Sequence, residues 1–361
     1  MTLSYRDLTS AQRRSLDGLP FDGNHLVSGP PGSGKSLLAA QRAVLLALTG
    51  TPVVLLTRSN LLRQSLTPMV RALGPDDDSI RVATAHSWLA EWYGSGAPKS
   101  RDGWYDWPAF YARAAETGPG PGLTLVIDEG QDLPPEFYRL CLMLGARTTV
   151  FADECQRLTE THSTLEEISR RLGVPAATWL DGNHRNSRQI ASLAAYFHIG
   201  SEPPSLPEGD GPPPALHRLT SGNTIELLIG LTQRRPQHTI GVIVNSAQAQ
   251  FDLLVRLERR APRLKPQLYT SQATHGRYRT LDLARPGIVI LHRASAKGLG
   301  FDTVVIPDTH TDAALDPTAA TLRMTYYVLA TRARKELHLG YEGDAEPPLL
   351  AEVDAASLVR D

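Results

Sequence analysis

Cysteine, lysine, aromatic side chains and long hydrophobic runs are all scarce in this sequence. Two cysteines, Cys141 and Cys155, in 361 residues are too few for a disulfide framework or a zinc cluster, and the expected setting is reducing and cytoplasmic. No apolar stretch approaches the roughly 20 residues that cross a bilayer. The nearest, Ala43–Leu48, is bounded by Arg42 and Thr49, and Met1–Ser10 is polar with none of the features of a secretory signal. An excess of one charge is missing as well: 37 Lys and Arg face 38 Asp and Glu. That balance excludes histone-like, charge-driven binding to nucleic acid but leaves room for a local basic channel. Only five of the basic residues are lysine, at 35, 99, 265, 297 and 335. In so arginine-rich a chain, a lysine marks a place where a compact ammonium serves better than a planar fork.

What is present is an ordinary 41% of apolar residues, enough for two or three domains with their own cores. Strand-length apolar runs fall at Leu26–Ser28, Val53–Thr57, Arg81–Thr84, Leu123–Asp128 and Thr148–Ala152. Helix-like stretches lie between them at Lys35–Leu48, Leu61–Leu73, Ser87–Trp92 and Glu136–Leu144. Continuous apolar strands alternating with amphipathic helices imply parallel sheets covered on both faces, an α/β fold. Gly94–Gly122 breaks the rhythm and reads as an insert. The alternation resumes with strands expected at Ala215–Leu219, Thr239–Asn245, Gln267–Tyr269, Gly287–His292 and Thr303–Pro307. Helices are expected at Ser187–Phe197, Thr224–Arg234, Gln248–Arg259 and Thr321–Lys335. Glu202–Pro214 carries six prolines and is a loop, since proline neither donates to a ladder nor sits inside a helix.

Two segments carry chemistry. Gly29-Pro30-Pro31-Gly32-Ser33-Gly34-Lys35-Ser36 fits G-x-x-x-x-G-K-S/T, between a strand and a helix. Its glycines let backbone N–H groups face phosphate oxygens, Lys35 reaches the β/γ-phosphates of ATP, and the Ser36 hydroxyl serves Mg²⁺. The buried strand Leu123–Ile127 runs into Asp128-Glu129-Gly-Gln131-Asp132. Asp128 is placed to hold Mg²⁺ and Glu129 to orient and deprotonate the attacking water.

With the DEGQD run and the motifs around it, the chain resembles the UvrD/Rep-like helicases and translocases of helicase superfamily one. The likeness extends from about Leu8 to Leu339. It implies that Gln12, in Leu8-Thr-Ser-Ala-Gln12, reads the adenine edge. Thr57-Arg58-Ser-Asn60 and Thr84-Ala-His86-Ser87 resemble motifs that contact the strand, as does Ser295 at the head of Ser295-Ala-Lys297-Gly298-Leu-Gly300-Phe-Asp302, where Gly298 lines the nucleotide. Val150-Phe-Ala-Asp153-Glu-Cys-Gln156 resembles the motif whose glutamine senses the γ-phosphate. Asn183-His184-Arg185 and Tyr326-Tyr-Val-Leu-Ala-Thr331-Arg332-Ala-Arg334 resemble motifs that supply arginine fingers, here Arg185 and Arg332, with His184 against the base.

The resemblance implies two RecA-like domains with ATP in the cleft between them: 1–178 with an insert at 94–122, then 179–345 with the Pro-rich loop 202–214, then a tail over 346–361. Several departures are visible. Arg58 stands where the family often has a stacking aromatic, the stacking stretch after Gln156 is missing, Gly300 replaces a glutamate and His184 a tyrosine. Only 35 residues separate Ser87 from Leu123, and one helix and one strand separate Thr239–Asn245 from Ser295, so the accessory domains are absent. The expected function is a minimal Mg²⁺-ATP-dependent motor on single-stranded nucleic acid, running 3′→5′ on DNA. The alternative is an ATP-gated module that partners a nuclease or effector, for example in defence against foreign DNA. Four of the five tryptophans, Trp88, Trp92, Trp104 and Trp107, cluster at the insert. They are expected to anchor it to the core rather than to stack on bases, because tryptophan buries so much area.

Overall fold

Parallel strands dominate the structure, a computed structural model that describes residues 5–75, 78–120, 122–153, 163–200, 203–271, 276 and 278–361. The chain divides into two units, Met1–Asp181 and Gly182–Asp361.

The first unit contains strands β1 (His25–Ser28), β2 (Val53–Thr57), β3 (Ile80–Thr84), β4 (Thr124–Asp128), β5 (Arg147–Ala152) and β6 (Thr178–Trp179). Its helices are α1 (Ser10–Asp17), α2 (Lys35–Leu48), α3 (Asn60–Leu73), α4 (Ala85–Tyr93), α5 (Trp107–Thr117), α6 (Pro135–Met143) and α7 (Leu165–Leu172). The sheet order is β3-β2-β4-β5-β1-β6, every pair parallel. Successive side chains of a strand point to opposite faces, and the packing follows that period. In β4, Leu125 and Ile127 join one core cluster with Trp88, Phe110 and Phe137, while Val126 joins the other with Leu38, Ala43 and Leu66. Both faces are covered, so the strands are apolar throughout. Because β4, β5 and β1 are neighbours, the segments leaving their C-terminal ends after Asp128, Ala152 and Ser28 emerge side by side.

The insert packs as expected. Trp88, Trp104 and Trp107 are buried and Trp92 packs against the same cluster. Helix α5, which the sequence pattern left unassigned, begins with Pro108 in its first turn, where the ring's fixed φ suits a helix start.

The second unit contains β7 (Ala215–Arg218), β8 (Thr239–Val244), β9 (Gln267–Tyr269), β10 (Gly287–His292), β11 (Phe301–Ile306), β12 (Ala333–Tyr341) and β13 (Val359–Arg360). Its helices are α8 (Arg188–Phe197), α9 (Ser221–Arg234), α10 (Ala247–Arg260), α11 (Ala320–Ala330) and α12 (Pro348–Ala351). The order is β13-β7-β12-β11-β8-β10-β9, again parallel throughout. Ile240, Val242, Ile288 and Ile290 meet Leu228, Leu231, Leu254 and Leu257 of α9 and α10 in one core. Helices α8 and α11 pack on each other, with Phe197 and Tyr326 rings 5.6 Å apart.

Two expectations are corrected here. The helix expected over Thr321–Lys335 ends at Ala330, and β12 follows in the middle of the sheet. Residues 346–361, expected as a tail, are built into the second unit. β13 pairs with β7, and Leu349, Leu350, Val353 and Leu358 are buried.

Candidate nucleotide site

In the first unit, the loop between β1 and α2 is almost entirely buried. Gly34 caps α2 at φ +94°, and Gly32 lies at φ +86°, conformations that side chains other than glycine's adopt only with strain. A Cβ at Gly34 would also sit 2.3 Å from Gln12 Nε2. Gln12 belongs to a capping box at the start of α1: its amide N–H donates to Thr9 Oγ1 (3.2 Å), and its own Oε1 accepts from the Thr9 amide (3.0 Å). Its Nε2 donates to the Ser33 carbonyl at 2.9 Å, so α1 is fastened to the loop through Gln12.

The Lys35 ammonium donates to the carbonyls of Gly29 (2.6 Å) and Pro30 (2.9 Å) and pairs with Asp153 at 3.0 Å. Both members of that pair are buried. Asp153 directly follows β5, which lies beside β1. The charge that the sequence assigns to phosphate is therefore already held in place, by an aspartate whose part in the site the sequence reading did not foresee.

The DEGQD segment lies at the end of β4. Asp128 is 1% exposed, and neither carboxylate oxygen receives a well-formed hydrogen bond. Burial first, and then the Glu129 carboxylate, push its pKa up; Ser36 and Lys35 offset this only in part. Glu129 adopts φ +56° and ψ +47°, left-handed backbone that costs a non-glycine residue about 1–3 kcal/mol. Gln131 Nε2 donates to Glu129 Oε2 at 2.5 Å, and Gln131 Oε1 accepts from the Asp153 amide at 2.9 Å. One side chain thus fixes the glutamate to the strand that carries the partner of Lys35. A pair of buried oxygens without partners, beside the half-buried Ser36, fits a hard divalent cation with oxygen ligands.

The residues implied for strand contact also lie in the first unit. Thr57 is fully buried, whereas Arg58, Ser59 and Asn60 of its motif are partly exposed; Arg58 lies over the Trp104 ring, 4.8 Å from its centroid, and Asn60 accepts from Arg63. Thr84 and Ser87 form a capping box on α4, each hydroxyl accepting the other's amide at 3.1 Å. His86 packs 4.3 Å from Trp104 and bonds the Gly103 carbonyl at 3.1 Å. Trp104 is thus enclosed between Arg58 and His86 and is 4% exposed.

In the second unit, Asn183 Oδ1 accepts from the amides of Arg185 (3.1 Å) and Asn186 (3.2 Å), and the Asn186 side chain donates to the Thr331 carbonyl (3.1 Å). This ties the segment bearing Arg185 to the start of β12. His184 is exposed; Gly298 lies at φ +77° and Ser295 closes a 3₁₀ turn over Arg293–Ser295. Arg332 departs from expectation. It is fully buried, with Nε on the Val328 carbonyl (2.8 Å), Nη1 on the Leu299 carbonyl (3.2 Å) and Nη2 on Thr331 Oγ1 (2.9 Å). The arginine of that motif that reaches the surface is Arg334, because the chain passes from helix to strand between the two. A Cβ at Gly300 would lie 3.3 Å from Arg334 Nε and 3.6 Å from Arg185 Cδ, so both arginine side chains border the space that a side chain there would enter. Gln156 and the stretch after it lie outside the described residues.

No protein-family model matches the chain, and no curated protein sequence does. Solved structures do resemble it. Saccharomyces cerevisiae Dbp5, bound to RNA and ADP BeF3, has a TM-score of 0.57 at 12% identity, over 99% of this chain and 90% of that one. An arterivirus helicase, nonstructural protein 10, reaches a TM-score of 0.43 at 15% identity, over 94% of this chain and 63% of that one. The C-terminal domain of a possible DNA helicase from Lactobacillus plantarum WCFS1 reaches 0.36 at 22% identity, over 49% of this chain and 97% of that one. The fold is that of tandem RecA-like units, as in Dbp5.

Proposed function

We propose that the chain is a Mg²⁺-ATP-dependent translocase of single-stranded nucleic acid, of UvrD/Rep-like type, moving 3′→5′ on DNA. The observation that carries the reading is the unpartnered Asp128 carboxylate, set beside a Lys35–Asp153 pair and a glutamate fixed by Gln131. In this reading Lys35 exchanges its carbonyl and carboxylate partners for phosphate oxygens, while the amides of Gly32 to Lys35 face the same anion. Gln12, already on the loop, takes the base side, with His184 and Gly298 as further nucleotide contacts. Asp128 and Ser36 are the residues that would hold Mg²⁺, which when bound draws charge from the phosphate oxygens. Glu129 accepts the proton of the attacking water, and its fixed carboxylate removes the need to reorient during reaction. Arg185 and an arginine of the 331–334 segment supply positive charge to the transferred phosphate. The direction of movement rests on the likeness of Ser295–Asp302 to the corresponding motif.

Strand contacts fall to Arg58, Asn60, His86, Ser87 and Ser295, with Thr57 and Thr84 shaping the loops that carry them. With Trp104 enclosed, the grip is made by charge and hydrogen bonds more than by stacking, which forgoes about 1–3 kcal/mol per base. Dbp5 in its RNA-bound form supports a nucleic-acid partner for this fold. The test is a filter-binding titration with single-stranded DNA and RNA in the presence of a non-hydrolysable ATP analogue. The expected result is saturable binding of DNA in the micromolar range or tighter, weakened by salt. No binding of either strand overturns the motor reading and favours the ATP-gated module with a nuclease or effector partner.

A further inference from the structure

Two imidazoles meet directly in the second unit, outside every motif assigned above. His217 lies on β7 and His338 on the neighbouring β12, and each side chain is only 15% exposed. In register His338 stands opposite Ala215, and Gly340 opposite His217, so the two rings are diagonal neighbours on one face of the sheet. His217 Nε2 is 3.0 Å from His338 Nδ1. The ring centroids are 5.3 Å apart with planes 27° apart, so the rings meet edge to edge through a hydrogen bond rather than lying face to face. Each outer nitrogen faces a carboxylate. His217 Nδ1 is 3.2 Å from Asp361 Oδ2, just beyond β13, and His338 Nε2 is 3.8 Å from Glu336 Oε2 on β12. Glu336 is paired in turn with Arg235. The other charged or titratable groups that act on this row are Arg234, at the end of α9, on His217, and His238, before β8, on Glu336.

Counting hydrogens shows what the row can hold. A neutral imidazole carries one N–H, so the neutral pair has two hydrogens for four nitrogens. One lies between the rings. The other faces Asp361, the nearer carboxylate, which can only accept. His338 Nε2 is then left bare, and it is buried without a hydrogen bond. One proton from solvent fills that position, points at Glu336 and leaves no nitrogen of the row without a partner. A second has no place, because it would put two hydrogens between nitrogens 3.0 Å apart. Burial first, and then His338, push the pKa of His217 down, in keeping with the added proton lying on the other ring.

From this we propose that Asp361, His217, His338 and Glu336 form a proton-operated latch, which takes up a single proton and thereby ties β13 across β7 to β12. The positive charge sits between carboxylates from β13 and β12, and it strengthens the hydrogen bond that His338 donates to His217. The complete row binds the proton and the opened row does not, so by linkage the latch is fastened in acid and loosens as pH rises through the midpoint of the pair. Histidine changes charge between about pH 5 and 8, which sets the range over which the latch works. The proposal does not depend on the motor reading.

The test is an NMR titration of the imidazole nitrogens of the full chain from about pH 8 to 5, the range of histidine. It is read together with the exchange protection of the Val359 and Asp361 amides, which donate to the Pro214 and Leu216 carbonyls at 2.9 and 3.0 Å. One proton should enter the pair, at His338 Nε2, while the hydrogen between the rings persists throughout. Protection of both amides should rise about tenfold as that proton binds, the worth of a hydrogen bond to a charged group. Glu336→Gln should lower the midpoint by about one unit or more, through loss of the nearby opposite charge. Asp361→Asn should abolish the rise in protection. The Asp361 side chain is 59% exposed at the outer edge of the sheet, so this variant should keep its melting temperature. Uptake of two protons in this range, a neutral His338 with its hydrogen on Nε2, protection indifferent to pH, or a midpoint unmoved by Glu336→Gln overturns the proposal.

Discussion

Asp128 is a carboxylate placed where a carboxylate is unwelcome. Burial and the adjacent Glu129 both disfavour its charge, and no well-formed hydrogen bond compensates. Asp128→Asn keeps the shape and removes the charge, so the metal-free protein should melt at a higher temperature. A gain on the order of 1–2 kcal/mol is expected, comparable to a shift of one pKa unit. Mg²⁺-dependent turnover should collapse in the same variant. Thermal melts in the presence of chelator check this, and a lower melting temperature contradicts the view that the carboxylate is poised for a cation. At this scale the sequence was legible where backbone conformation restricts the choice of residue, as at Gly32 and Gly34, and where a lysine stands in an arginine-rich chain. It was not legible at Arg332 and Arg334. Two arginines a residue apart are equivalent on paper, and only the passage from α11 into β12 turns one inward and the other out.

Strand β12 was the least legible element of the second unit. Its first residues, Ala333-Arg-Lys-Glu336, lack the β-branched and aromatic side chains that mark strands, and the apolar spacing of α11 runs on into them without a glycine or proline to stop it. Its place between β7 and β11 supplies the partners that override local preference. Strands β6 and β13 are two residues long, too short to show any alternation. By contrast, the central strands β4, β5, β8 and β10 were legible because both of their faces are buried. Glu336 gives β12 a measurable signature. His338 first, and then Arg235, hold its carboxyl down to about 2 from an ordinary value of 4.5, against the opposing effect of burial. A carboxyl depressed on folding stabilises the fold above its unfolded value and ceases to do so as pH falls through its folded value. Stability should therefore fall as pH drops from 4.5 towards 2, and Glu336→Gln should flatten that part of the profile. Denaturant melts across this range check it, and an unchanged slope in the variant contradicts the assignment.

For the whole molecule, the alternation of apolar strands and amphipathic helices was enough to establish two parallel α/β units, because covering both faces of a parallel sheet leaves little freedom in the pattern. The order of the motifs added a candidate nucleotide site to the first unit, and the structure places Lys35, Asp128, Glu129, Gln131 and Asp153 on the segments that follow three neighbouring strands. What the pattern could not convey was enclosure: Trp104 lies between Arg58 and His86, and the Pro-rich loop is folded down over α8. Such contacts join residues far apart in sequence and leave no periodic trace. The central claim is that this site hydrolyses ATP in response to a single strand. Steady-state ATP hydrolysis, measured with Mg²⁺ and with or without single-stranded DNA, tests it most directly. Turnover should rise with the strand and fall about 10²–10⁴-fold in Glu129→Gln, the contribution of a positioned general base. Turnover that is indifferent to the strand, or to Glu129→Gln, would contradict it.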